Sequence, residues 1–194
     1  MPRIVETIVT TTNADGVAHI APLGLIEDGD RWIIAPFSPS RTLDNLKANP
    51  FAVASHTGDV RVIAGCVTGR RDWPTVSADI VKGVRLKDTV SHWELAVERV
   101  TDDAQRPRFH CKVVHAATHS VWSGYNRAEA AVLELAVLST RLNMLPPEKI
   151  DAELKYLEIA ISKTAGSREL EAWGWLMDRV RAFRSGDTGA AQKK

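Results

Sequence analysis

Cysteine is nearly absent: the chain of 194 residues carries two, Cys66 and Cys111. Two thiols so far apart form neither a disulfide framework nor a C-x-x-C site, so a reduced, cytoplasmic setting is the expectation. An excess of either charge is missing too. Lys plus Arg number 25 and Asp plus Glu 24, a net charge of +1. That removes the bulk electrostatic case for nucleic acid or an anionic membrane as partner. No stretch approaches the ~20 apolar residues of a membrane span. Met1-Pro2-Arg3-Ile4-Val5-Glu6 meets a carboxylate before any apolar run develops, so no secretory signal is expected. Neither a Walker loop nor G-x-G-x-x-G occurs, which excludes the familiar mononucleotide and Rossmann fingerprints. What is present is a hydrophobic fraction of 44%, enough for a full core. The length suits one domain with an appendage, or two small domains.

The first two thirds read as strands. Arg3–Thr12 is rich in Ile, Val and Thr, Asn13-Ala14-Asp15-Gly16 supplies a turn, and Val17–Ile26 returns as a second strand. A turn at Glu27-Asp28-Gly29-Asp30 leads to a third strand, Arg31–Pro36. Such short connections predict an antiparallel meander. A short helix is expected to begin near Ser40 and to end before Asn49-Pro50. Phe51–His56 and Val60–Ala64 read as two more strands, and a helix is expected near Ala78–Lys82. Ser91–Val100 alternates Trp93, Leu95 and Val97 with His92, Glu94 and Glu98, the period of a half-buried strand, and Arg108–His115 runs back beside it. After Tyr125 the period turns helical. Asn126 caps a first helix, Ile150, Leu154, Leu157 and Ile161 mark a second, and Ser167 opens a third. The expected architecture is mainly β with an α extension (α+β). Its predicted parts are a β domain over 1–120, a helical subdomain over 121–184 and a disordered tail over 185–194.

Three groups of residues bear on chemistry. Ser40, Arg41, Thr42 and Asn45 sit where a helix begins, and such an end offers unpaired N–H groups and a positive dipole to a phosphate. The same residues equally suit an ordinary connecting helix capped by Ser40, with Arg41 in solvent. Ala21-Pro22-Leu23-Gly24 lies inside a strand, where Pro22 lacks a donor and Gly24 lacks a side chain. Those residues suit either close backbone approach to a flat ligand or a bulged edge strand. Among the six histidines, His115 and His119 have an i, i+4 spacing. On an extended strand, however, that separation spans roughly 13 Å, too far for one ion. No third ligand falls at a useful spacing, so no metal site is expected. Cys66 has no setting for a nucleophile, and Arg70-Arg71 beside Trp73 reads as a solvated pair near a core indole.

The order of four pieces is more telling than any one of them. These are Ile4-Val5-Glu6-Thr7-Ile8-Val9-Thr10-Thr11; Ala21-Pro22-Leu23-Gly24; Ser40-Arg41-Thr42-Leu43-Asp44-Asn45-Leu46; and Tyr125-Asn126-Arg127-Ala128-Glu129-Ala130-Ala131-Val132-Leu133-Glu134, followed by Lys163-Thr164-Ala165-Gly166. Over roughly Arg3 to Val180 this resembles the DUF447 family of the FMN-binding split-barrel superfamily. The resemblance implies a split β-barrel, a homodimer, and FMN bound near the dimer interface. It implies Ser40, Arg41, Thr42 and Asn45 around the FMN phosphate, and Ala21, Pro22, Leu23 and Gly24 near the isoalloxazine ring. His56-Thr57-Gly58-Asp59 departs from the Asn-x-x-x-Asp-like stretch of the family. The implied activity is that of an oxidoreductase whose substrate and electron donor are not specified. The alternative is a non-enzymatic flavin-binding accessory or pterin-biosynthesis protein. A link to tetrahydromethanopterin-dependent one-carbon metabolism is implied in the same way, and by nothing in the residues themselves.

Overall fold

β-Branched runs separated by tight glycine turns build the N-terminal strands, as their propensities require. In the computed structural model, which describes residues 1–186, the order is β1 (Ile4–Thr12), β2 (Ala18–Asp28), β3 (Arg31–Ile34), α1 (Arg41–Ala48), β4 (Phe51–His56), α2 (Arg61–Val67), β5 (Thr75–Ser77), β6 (Val84–Leu86), β7 (Ser91–Thr101), β8 (Arg108–Thr118), α3 (Arg127–Ser139), α4 (Pro147–Thr164) and α5 (Ser167–Arg184). Residues 187–194, most of the expected disordered tail, lie outside the described residues. Gly16 and Gly29 take φ of 81° and 65° in the first two turns, a conformation that costs a side chain-bearing residue energy. No helix among the described residues is long and apolar enough to cross a membrane.

The chain divides into two compact units. The first, Met1–Thr57 with Trp73–Trp122, holds a closed antiparallel barrel of order β1-β2-β3-β8-β7-β4. Val9, Leu25, Ile34, Ala54, Leu95, Phe109 and Cys111 fill its core. Leu43 and Leu46, on one face of α1, complete that core, so the helix is held by burial of its apolar stripe. β5 and β6 form a separate hairpin. It docks on the barrel wall through polar contacts: the Thr10 hydroxyl donates to Val84 O, and Leu86 N donates to Ser55 Oγ at 3.2 Å.

The expected helix near Ala78–Lys82 is instead the loop of this hairpin. Its N–H groups have a better acceptor than a helical turn provides. Those of Asp79, Ile80 and Val81 all donate to the buried carboxylate of Glu94 on β7, the last two at 2.8 and 2.7 Å. Burial pushes the Glu94 pKa up, but these three bonds, with His92, outweigh it and hold the carboxyl below its usual range.

The second unit, Gly58–Asp72 with the chain from Ser123 on, is helical. Val132 and Leu135 of α3, Leu154 and Leu157 of α4, and Ala172, Leu176 and Val180 of α5 share one core. Asn126 caps α3 as expected, its Oδ1 accepting from Ala128 N at 2.7 Å, and its Nδ2 donates to Thr164 O. The cap of α5 is Gly166, one residue before the expected Ser167, with the Glu169 carboxylate accepting from Gly166 N at 2.7 Å. Val60–Ala64, expected as a strand, forms the start of α2. Asp59 turns the chain there by accepting from Arg61 N, and Val60 and Ala64 bury themselves among α3, α4 and α5 residues. Tertiary burial overrides the β-branched pattern. Arg70 lies over the Trp175 ring at 4.7 Å.

Leu135 is fully buried, so Leu135→Ala should cost about 2–5 kcal/mol in chemical denaturation. A loss under about 1 kcal/mol would mean that the helical core collapses onto the gap. Glu94→Gln should cost about 1.5–3 kcal/mol at neutral pH, the value of charge-assisted bonds. Because the folded pKa of Glu94 is depressed, its stabilisation is present above the ordinary carboxylate range and is lost as pH falls through the folded pKa. Urea denaturation across pH should therefore show a steeper acid-side loss in the parent protein than in Glu94→Gln.

Candidate functional site

The two sequence-predicted segments lie on neighbouring parts of the barrel unit. β2 pairs with β1 from Ala18 to Ile26 in unbroken register, so Ala21, Pro22, Leu23 and Gly24 oppose Val9, Ile8, Thr7 and Glu6. β3, only four residues long, pairs with Ile26, Glu27 and Asp28 alone. The Ala21–Leu25 part of β2 thus has no strand on its second side. There the backbone polar groups not used by β1 point away from the ladder. Pro22 fits such an edge because it has no N–H to leave unmet. The strand carries no bulge at this point. Gly24 is explained by its own chain: an added Cβ would stand 2.6 Å from Ile4 Cγ2 and 3.2 Å from Glu6 Oε1.

α1 divides its four predicted residues into two pairs. Ser40 is the N-cap, extended at φ −160°, with its Oγ accepting from Leu43 N at 3.3 Å. Since the hydroxyl oxygen accepts that bond, its proton is still free to be donated. Arg41 is exposed and forms no ion pair with the described residues. Its N–H and that of Thr42 belong to the first helical turn, which has no intrahelical acceptors. Thr42 and Asn45 are turned inward, at 4% and 7% exposure. Asn45 Nδ2 donates to Thr11 Oγ1 on β1 at 3.0 Å, and Asn49 Nδ2 donates to Thr12 Oγ1. These bonds fix the helix against β1. Thr11 pairs with His19, two residues and about 7 Å along β2 from Ala21. Asn45 thereby docks α1 on the end of the β1–β2 pair.

A cleft of about 430 Å³ lies elsewhere in the barrel unit, lined by Ser38, Lys47, Val97, Asp102, Asp103 and Phe109 among others. None of the eight predicted residues lines it. Its two carboxylates oppose a phosphate, and Lys47 is its one cation. Trp32 and Trp93 meet at 4.9 Å with their rings tilted by 37° against the barrel core, and His56 meets Trp93 edge-on at 4.5 Å. His56 Nε2 is buried without a hydrogen-bond partner. Burial pushes the His56 pKa down, which keeps the imidazole neutral.

Spacing along the chain hides one more cluster. Register places Glu94 opposite His115 and His92 opposite Ala117 across β7 and β8. The hairpin loop adds Asp79. One ligand atom from each of Asp79, His92, Glu94 and His115 lies within 4.8 Å of the others. His119 is not one of the four; its Nε2 lies 2.8 Å from His92 Nδ1. The partners of His115 come from the adjacent strand and from the hairpin. A polar period-two face at His92 and Glu94 is the one sequence signal that points to them.

Comparison with known proteins adds the family. The N-terminal model described as protein of unknown function (DUF447) matches residues 5–120, and the C-terminal DUF447 model matches residues 126–178. None of the curated proteins matches this sequence. Among solved structures, the FMN-bound DUF447 protein MM1853 from Methanosarcina mazei is similar with a TM-score of 0.77 and 20% identity, covering 92% of this chain and 96% of that one. The 2-nitrobenzoate 2-nitroreductase NbaA of Pseudomonas fluorescens is similar at TM-score 0.51 and 20% identity, over 61% of this chain and 66% of that one. The styrene monooxygenase flavin reductase SMOB of Pseudomonas putida S12 is similar at TM-score 0.51 and 13% identity, over 59% and 81%. The fold is therefore the split barrel of flavin proteins with a helical extension. With both of its domain models matched in order over most of the sequence, the chain belongs to the DUF447 family.

Proposed function

We propose that this protein is a cytoplasmic, homodimeric flavoprotein that binds FMN and acts as an oxidoreductase. The observation that carries this is an exposed Arg41, without an ion pair among the described residues, at the start of a helix packed on β1 and β2, where the Ala21–Gly24 stretch of β2 has no second strand beside it. The fold shared with an FMN-bound family member over 92% of the chain supports it.

The residues present fit the group in part. Ser40 Oγ–H, the Arg41 guanidinium and the free N–H groups of Arg41 and Thr42 form a donor set for a phosphate dianion, with the helix dipole adding to it. The backbone groups of Ala21 to Gly24 that point away from β1 are suited to the polar edge of a flat ring. The side chains of Thr42 and Asn45 serve differently: both are buried and hold α1 in place. Gly24 likewise answers to Ile4 and Glu6. When bound, the flavin supplies hydride and electron transfer, which asks the protein for orientation and local electrostatics and not for an acid or base of its own. The link to tetrahydromethanopterin-dependent one-carbon metabolism rests on the family resemblance, and a reduced pterin belongs among the electron donors tried.

FMN added to the purified protein should bind at one per chain. Arg41→Ala should weaken it by about 1.5–3 kcal/mol in a fluorescence titration while leaving the melting temperature unchanged. Asn45→Ala should instead lower the melting temperature. Unchanged affinity in Arg41→Ala would place the phosphate elsewhere, and no binding by the parent would end the flavoprotein reading. NAD(P)H or a reduced pterin should bleach the bound flavin anaerobically. Flavin that stays oxidised with every donor would favour the accessory role. Light scattering should return twice the mass of a single chain.

A further inference from the structure

We propose that Asp79, His92, Glu94 and His115 form a binding site for a divalent transition-metal ion of the zinc class, which clasps the β5–β6 hairpin to the barrel wall. The distances come first. His92 Nε2 lies 3.2 Å from Glu94 Oε1 and 3.6 Å from Asp79 Oδ2, and His115 Nε2 lies 3.2 Å from the same Asp79 oxygen. Metal–ligand bonds of about 2.0–2.2 Å in a tetrahedron give ligand-to-ligand edges of about 3.3–3.6 Å. Three of the six edges are already near that length, and none exceeds 4.8 Å. Small side-chain movements close the rest.

Hydrogen bonding fixes the Glu94 carboxylate in the direction that a metal site needs. A carboxylate has about four lone-pair positions. On Glu94, Oε2 accepts from Ile80 N and Val81 N, and Oε1 accepts from Asp79 N. The fourth faces His92 Nε2. His92 Nε2 thus meets Glu94 while His115 Nε2 meets Asp79, so two nitrogens and two carboxylate oxygens converge on one point. A dication there would engage all four groups at once.

The outer shell is in place for such an ion. His92 Nδ1 lies 2.8 Å from His119 Nε2. When His92 carries its proton on Nε2, His119 donates to Nδ1. When Nε2 binds a metal, Nδ1–H donates to His119, and the His119 proton resides on its own Nδ1. A ligating imidazole held through its other nitrogen is the usual arrangement at metal sites. His92 and Glu94 are fully buried and form the floor, whereas the side chains of Asp79 and His115 are 48% and 30% exposed and leave an entry path. Two imidazoles select zinc and its neighbours over calcium or magnesium. The site is distinct from the proposed flavin strand. Pro22, Ile8, Ser55 and His92 lie in one cross-strand row, so His92 is three strands, about 14 Å along the sheet, from Pro22.

The test uses the whole chain after chelator treatment, titrated with Zn2+ by calorimetry and with Co2+ by visible absorption. One ion per chain is expected, with the intense d–d bands of tetrahedral cobalt, and Zn2+ should raise the melting temperature. His115→Ala and Asp79→Ala change exposed residues and should keep the circular dichroism of the parent. Each should weaken Zn2+ at least ten-fold and abolish the thermal shift. His119→Ala, through the outer shell, should weaken it 10–100-fold. Substoichiometric binding, cobalt spectra without tetrahedral bands, or unchanged affinity in His115→Ala and Asp79→Ala would overturn the proposal. None of these readouts depends on flavin.

Discussion

The eleven-residue β2 outruns the four-residue β3, and that mismatch governs the barrel unit. β1 pairs with β2 along almost its full length, yet β3 meets only the last three residues of β2. The ring of strands closes, but one stretch of strand keeps an unshared edge. An edge of this kind exposes backbone donors and acceptors that must be met by water, another chain or a ligand. Pro22 removes one donor from that edge and so limits strand addition by a stray partner. In the proposed function, the same opening is where the planar flavin ring is placed.

Polar contacts from outside the strands set what stands around the opening. α1 is held by its leucines in the barrel core and aimed by Asn45 on Thr11 and Asn49 on Thr12. Exposed Arg41 owes its position to these buried neighbours. On the other wall, Glu94 performs the equivalent task for the hairpin loop, converting three backbone N–H groups into one anchor. In both cases a buried polar side chain sacrifices hydration and is compensated by bonds to specific partners. That exchange specifies position more strongly than apolar burial does.

Local chemistry explains which elements the sequence makes readable. The glycine turns at Gly16 and Gly29 and the Ser40 and Asn126 caps are decided within a few residues, and the structure places them where expected; the alternation in β7 marks a strand, but its polar His92 and Glu94 are fully buried because the hairpin loop covers them. Val60–Ala64 misleads because β-branched side chains fit a helix once three other helices bury them. Ala78–Lys82 misleads because the acceptor of its N–H groups is Glu94, far along the chain. The Ser40–Asn45 segment is legible as a helix start, but the inward turn of Thr42 and Asn45 depends on β1. The cluster of His92, Glu94, His115 and Asp79 depends on strand register and on a hairpin loop, neither of which spacing along the chain encodes.

Amide hydrogen exchange with and without FMN addresses the central claim most directly, because it locates the ligand without altering a residue. FMN should slow exchange at Arg41 and Thr42 and along the open edge of β2 from Ala21 to Leu25. Protection confined to the cleft of Asp102, Asp103 and Phe109, or no protection with FMN at saturation, would contradict the account.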